Sequence, residues 1–229
     1  YTSPMLALVL AATLQVTDVP PNLTDSETQV RLVFLDDRLR AGATAAKVWY
    51  WSWTALYTAG TLVQLALFVT APDLRAQANW GVGGATTLLG LLLMVIPEFP
   101  AEFASRELDR MPADTPELRA RKLRRAQELL ESSAEAEAMG TAWFIHLGGA
   151  AVSIAGGLIL WLGFGYLVDG IINAVSGFVI TEAQIWTQPT RATRDWEEYR
   201  ARYLPAAPAN KVSVRVLPAP GGFALAGTF

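Results

Sequence analysis

The sequence predicts an all-α integral membrane protein. It has four transmembrane helices in two antiparallel hairpins, a long extramembrane helix running into span three, and a small C-terminal β-hairpin. Three observations carry this. Of 229 residues, 52% are apolar and 17% charged, whereas a soluble domain has about 25% charged residues. The apolar residues gather in four stretches near the roughly 20 residues that a helix needs to cross a bilayer core. Aromatic residues crowd the ends of these stretches, as they do at membrane–water interfaces.

The chain divides into five segments. Residues 1–47 hold an apolar run and an amphipathic helix, and 48–96 the first transmembrane hairpin. Residues 97–140 form an extramembrane helical segment, 141–188 the second hairpin, and 189–229 an amphipathic helix followed by the β-hairpin. Within the first segment, Met5–Val16 is too short for a usual span and resembles the apolar core of a secretory signal peptide. Pro20, Pro21 and Asn22 make a turn, and Thr24 or Asp25 can cap a helix over Glu27–Arg40. Leu32, Leu35 and Leu39 share one face of it, and Gly42 is its expected stop.

Span one, Val48–Thr70, and span two, from about Asn79 to Ile96, carry no charge. Span three, Thr141–Phe164, has His146 as its sole titratable group, and span four, Tyr166–Trp186, contains Asp169 and Glu182. The competing reading is a soluble bundle of four buried helices. Such helices keep a polar stripe, and Leu88–Ile96 and Ala150–Phe164 have hardly any. Trp49, Trp51 and Trp53 open span one, Trp80 opens span two, and Trp143 stands near the start of span three. Trp186 closes span four, ahead of Pro189.

Between spans two and three, Asp114-Thr115-Pro116-Glu117 is a helix start. The helix pattern then meets no proline before Phe164 and, if unbroken, is roughly 70 Å long. Arg119, Arg121, Lys122, Arg124 and Arg125 precede Glu128, Glu131, Glu135 and Glu137. Such a basic cluster suits anionic lipid or an acidic partner. Internal pairing, Arg124–Glu128 and Arg125–Glu128, is the simpler expectation. After Pro189, Trp196, Tyr199 and Tyr203 form an interfacial stripe on Arg191–Tyr203. From Lys211 the period changes to two, around a turn at Pro218–Gly222.

Small residues set the expected packing. Gly170, Ala174, Gly177 and Thr181 line one face of span four, and Gly149, Ser153 and Gly156 one face of span three. An antiparallel hairpin turning near Gly165 brings Ser153 level with Ser176–Gly177, and Gly156 level with Asn173–Ala174. The same register puts His146 beside Glu182, with Gln184 or Ser153 able to join. Polar groups in a span are costly and usually paired. The pair reads as a structural hydrogen bond or as a proton or cation relay, with Glu182 the carrier and His146 tuning it. Asp169 is expected to be hydrated at the opposite interface. Gln64 and Asn173 are interior polar groups suited to bonding across helices.

With no Cys and one His, disulfides, thiolate nucleophiles and multi-histidine metal sites are excluded. No phosphate loop or nucleophile elbow is present, and no cofactor or metal is expected. A net charge of −3 gives no basic field for nucleic acid. The expected partners are the lipid bilayer and a second copy or a membrane-complex subunit. The reading is therefore not an enzyme but a structural, assembly or accessory subunit of a cell-envelope complex. The alternative is a small oligomeric proton- or cation-coupled transporter or channel. Arg75 alone among the Lys and Arg lies in the tight connections. The charge rule then puts both termini in the cytoplasm, at a bacterial inner membrane. A signal peptide at Met5–Val16 would invert this.

Overall fold

The computed structural model describes residues 23–96 and 100–204 with their side chains, and 213–219 and 222–228 as backbone. The apolar run Met5–Val16, the turn at Pro20–Asn22 and the tip of the expected C-terminal hairpin lie outside these. All described side chains belong to a helical fold. Its helices are α1 (Asp25–Val69), α2 (Leu74–Val95), α3 (Pro100–Asp109), α4 (Pro116–Gly140), α5 (Trp143–Leu158), α6 (Leu167–Trp186) and α7 (Arg191–Tyr203). One π-helical turn, Ile159–Gly163, prolongs α5. The C-terminal backbone segments Ser213–Ala219 and Gly222–Thr228 are extended and antiparallel.

Three helical stretches are long and apolar enough to cross a membrane: α1, the Leu74–Asp109 stretch that contains α2, and α5 with its π turn. They suggest a membrane location. The expected count of four is not reached on these criteria. Helix α6 has 20 residues, but Asp169, Asn173, Glu182 and Gln184 lower its mean hydropathy.

Helix α1 starts with a reciprocal cap. The Thr24 hydroxyl accepts the Glu27 backbone N–H at 3.3 Å, and the Glu27 carboxylate accepts the Thr24 backbone N–H at 2.8 Å. The Thr24 backbone N–H, and after it the Thr24 hydroxyl, both donating to the Glu27 carboxylate, hold that carboxyl below its ordinary range. The helix then runs 45 residues without the expected stop at Gly42. A glycine inside a helix costs only about 1 kcal/mol relative to alanine, and Ala41, Ala43, Ala45 and Ala46 around it are the best helix formers. Amphipathic segment and first span are thus one rod, about 68 Å long.

The long helix expected to run into span three is instead two helices. Helix α4 ends at Gly140, and Ala142 is extended with ψ 145°. The Gln188 amide donates to the Glu137 carbonyl at 3.1 Å and lies where a Cβ on residue 140 would stand. A residue 51 positions away along the chain therefore closes this helix end.

Four helical segments build one core outside the spans. Leu32, Leu35 and Leu39 of α1 meet Ala104 and Leu108 of α3, Leu123, Ala126, Leu129 and Leu130 of α4, and Trp196 and Tyr199 of α7. This corrects the interfacial stripe. Trp196 and Tyr199 are buried and stacked at 5.7 Å inside the bundle, and Tyr203 packs against the same core. An amphipathic face must be covered, but its pattern is the same whether lipid or protein covers it. Helix α3, unforeseen from its ten residues, supplies a wall of the core.

Two of the five basic residues of the α4 run are paired with acids of the bundle. Arg119 pairs with Asp25 at 2.7 Å, and Arg125 with Glu107 at 2.6 Å and Glu128 at 2.9 Å. Glu128 is held by Arg125 and not by Arg124. Arg119–Arg125 lie about 22–32 Å along α4 from Gly140.

Two stability predictions follow from this core. Leu35→Ala, at a fully buried position, is expected to cost about 3 kcal/mol in helix unfolding followed by circular dichroism. The second concerns Glu137, which is buried and pushed up from its ordinary 4.5 chiefly by loss of solvent. The folded chain binds this proton more tightly than the unfolded chain. Its charge therefore opposes folding above the folded-state value, and the cost disappears as pH falls towards 4.5. Against Glu137→Gln, wild-type melting temperature should gain as pH is lowered through that window. An unchanged difference would show that Glu137 is not buried as a charge.

Candidate functional site

The segment Ile185–Thr190, mute as a motif, is the point where spans and bundle are joined. Thr187 Oγ1 accepts the indole N–H of Trp53 at 3.1 Å and of Trp49 at 3.3 Å. This ties the α6 end to α1. Gln188 closes α4, as described above. Pro189 then ends the run, and α7 begins. The Glu137 carboxylate accepts the Thr193 backbone N–H at 3.0 Å, in the first turn of α7. A carboxylate at a helix N-terminus meets unpaired N–H groups and the positive end of the helix dipole.

The α5–α6 hairpin holds the small-residue register. Ser153 packs on Gly177, Thr181 on Gly149, and the Asn173 amide on Gly156. At Gly157 and Gly170 the two backbones touch, and a Cβ on either would overlap the other's carbonyl oxygen. Only glycine permits that approach. Gly165 makes the turn beyond it at φ 80°.

This register brings His146 and Glu182 together. His146 Nδ1 lies 3.0 Å from both carboxylate oxygens, and the Trp186 indole donates to Glu182 at 3.0 Å. An ionised Glu182 can only accept, so His146 donates from Nδ1 and keeps Nε2 for a lone pair or second proton. Neither Gln184 nor Ser153 joins them. The Gln184 carbonyl oxygen of the side chain accepts the Tyr57 hydroxyl at 2.6 Å, and its amide faces the Met94 sulfur at 3.4 Å. The Ser153 hydroxyl donates to the Gly149 carbonyl within its own helix at 2.9 Å.

Between the two hairpins lies a cavity of about 630 Å³. Gln64 reaches its wall from α1, donating to Thr87 of α2 at 2.7 Å while its carbonyl end packs over Gly83. Asn173 reaches it from α6. His146 and Glu182 do not line it; their pair sits on the other flank of the α5–α6 hairpin. At the far end of the spans the hairpins are bridged by Arg75 and Asp169, at 2.6 and 3.0 Å. Asp169 is thus ion-paired rather than only hydrated. The sequence held part of the signal for this, the sole base in the short turns; of the two acids near that depth, Asp73 caps α2 and Asp169 takes Arg75.

Among the described residues, no three His, Cys, Asp or Glu side chains cluster closely enough to hold a metal ion. What the polar groups share is position. Gln64, His146, Asp169, Glu182 and Gln184 each tie one helix to another, whereas Ser153 bonds within its own helix and the Asn173 amide has no hydrogen-bond partner among the described residues.

The His146–Glu182 contact is testable by a double-mutant cycle. His146→Ala and Glu182→Gln should each destabilise the detergent-solubilised protein, with a coupling of about 1 kcal/mol between them. Additive effects would remove the contact. No protein-family model, no curated protein and no solved structure matches this chain, so its chemistry stands on this geometry alone.

Proposed function

We propose that this chain is a non-enzymatic four-span membrane protein that acts as a structural or assembly subunit of an envelope complex. In this reading it presents its helical bundle and C-terminal hairpin to partners. The observation that supports it most is closure of the bundle. Helices α4 and α7 belong to one core, so a chain that leaves through α5 has to return through α6. The polar residues that lower the hydropathy of α6 are mostly answered within the protein: Asp169 by Arg75, Glu182 by His146 and Trp186, Gln184 by Tyr57. Its remaining face carries exposed Val168, Ile171, Ile172, Val175 and Val179, a surface suited to lipid.

The charge rule puts the bundle in the cytoplasm, since every Lys and Arg but Arg75 lies on its side. The buried acids of the bundle serve its structure. A cleft beside Arg38, Glu137 and Asp195 measures about 10 Å³, room for about one water molecule and none for a substrate. A relay through Glu182 and His146 would need them in the cavity wall, which is why we prefer the assembly role to transport.

The absence of cysteine makes single-cysteine labelling direct. Ala71→Cys and Phe164→Cys should react with a membrane-impermeant maleimide on intact cells, and Ala113→Cys only after permeabilisation. Protection of position 164 with labelling at 71 would take the second hairpin out of the membrane and replace four spans by two. For the role itself, full-length protein extracted in mild detergent should migrate with a stoichiometric membrane partner. A chain that migrates alone and gives proton flux in liposomes, lost in Glu182→Gln, would replace this reading by transport.

A further inference from the structure

The cavity between the hairpins has a consistent chemistry. Among the described residues, no Asp, Glu, Lys, Arg or His lines it, and its walls are mainly apolar. Its polar groups are neutral: amides at Gln64, Asn173, Gln184 and Gln188, with hydroxyls between them. From Asn173 to Gln188 along α6 it extends about 22 Å. Its 630 Å³ falls within the roughly 300–1,000 Å³ of small-molecule sites.

Two features point to a ligand. The first is Asn173. Its amide stands unpartnered inside a span, held over Gly156 with its nitrogen towards Gly83. A polar group left so in an apolar surrounding is costly, and a bound hydroxyl or carbonyl would relieve it. The second is access. Leu56 and Leu93 line the cavity yet are 53% and 64% exposed. Gly148 also lines it, and a Cβ there would meet nothing within 4 Å. The cavity therefore opens sideways, where the bilayer would be.

We propose that this cavity binds an uncharged single-tailed lipid whose head carries a hydroxyl and a carbonyl, of the monoacylglycerol kind. Asn173 offers a donor and an acceptor to that head, and Gln64 offers its carbonyl. The tail lies along the apolar wall towards Val152, Ile145 and Leu93. A phosphate or carboxylate head would be desolvated here without a counter-charge, so phospholipids and fatty acids are rejected. The inference rests on the four-span reading, because lateral entry requires both hairpins to stand in lipid.

The test uses the full chain in phosphatidylcholine nanodiscs, titrated with radiolabelled 1-monoolein. Saturable retention of about one monoolein per chain above empty discs is expected, with no competition by oleate. Gly148→Leu, which puts a side chain into open space, should weaken binding at least tenfold with unchanged melting. Asn173→Ala should weaken it about fivefold, the worth of one neutral hydrogen bond. Retention equal to empty discs, equal competition by oleate, or wild-type affinity in both variants overturns the proposal. The single-cysteine labels in cells separate the two readings. Failed binding with position 164 accessible from outside sinks the ligand site alone, whereas a protected position 164 sinks both.

Discussion

Glu137 serves two helix ends at once. Its carbonyl receives the Gln188 amide where α4 stops, and its carboxylate receives the Thr193 N–H where α7 starts. The exits from α4 and into α7 are thereby held side by side, which sets where α5 leaves and where α6 returns. The depth of His146 against Glu182, and of Asn173 against Gly156, is set by the small-residue packing of the hairpin itself. The cost is a carboxylate buried at 2% exposure, offset by a helix terminus that needs an acceptor. Thr187, one residue before Gln188, draws Trp49 and Trp53 onto the same junction, so α1 is positioned by it too.

Away from the junction, the two hairpins are each tightly packed within and loosely joined to one another. Inside the α5–α6 hairpin, glycine lets the backbones touch. Between the hairpins, side chains meet at both ends: Arg75 with Asp169 at one, Tyr57 with Gln184 at the other. Between those ends Val82 and Thr86 approach Gly156, and Gly60, Gly148 and Gly177 line the cavity that remains. Polar groups also stand at that middle depth, where Gln64 donates to Thr87 and Asn173 has no hydrogen-bond partner among the described residues.

Some of this was legible in the sequence, for local reasons. The hairpin register could be read because small residues recur at helical spacing on both sides of one tight turn, and counting outwards from Gly165 fixes depth. The cap at Thr24 and the start at Thr115 are short-range signatures. The misreadings have non-local causes. Gly42 reads as a stop until the alanines around it are weighed. At the break after Gly140, Thr141 bonds back to the Glu137 carbonyl locally, and Gln188 joins it from a distance that the sequence does not announce. Trp196 and Tyr199 showed that one face of α7 is covered, and only tertiary packing decided by what. The Arg75–Asp169 bridge spans 94 positions, and with Asp73 beside Arg75 in the same turn no local pattern chose Asp169 as its partner.

The uninterrupted passage of α1 through Gly42 has a mechanical consequence. A rod of about 68 Å with one end in the bundle and the other at the far side of the spans behaves as a lever. A swing of about 10° around the Trp49–Trp53 contact, with about 24 Å of helix from Trp53 to Val69 beyond it, would displace the far end by about 4 Å. A partner gripping the bundle would therefore reach across the bilayer through α1 itself, with the Trp49–Trp53 latch on Thr187 as the fulcrum.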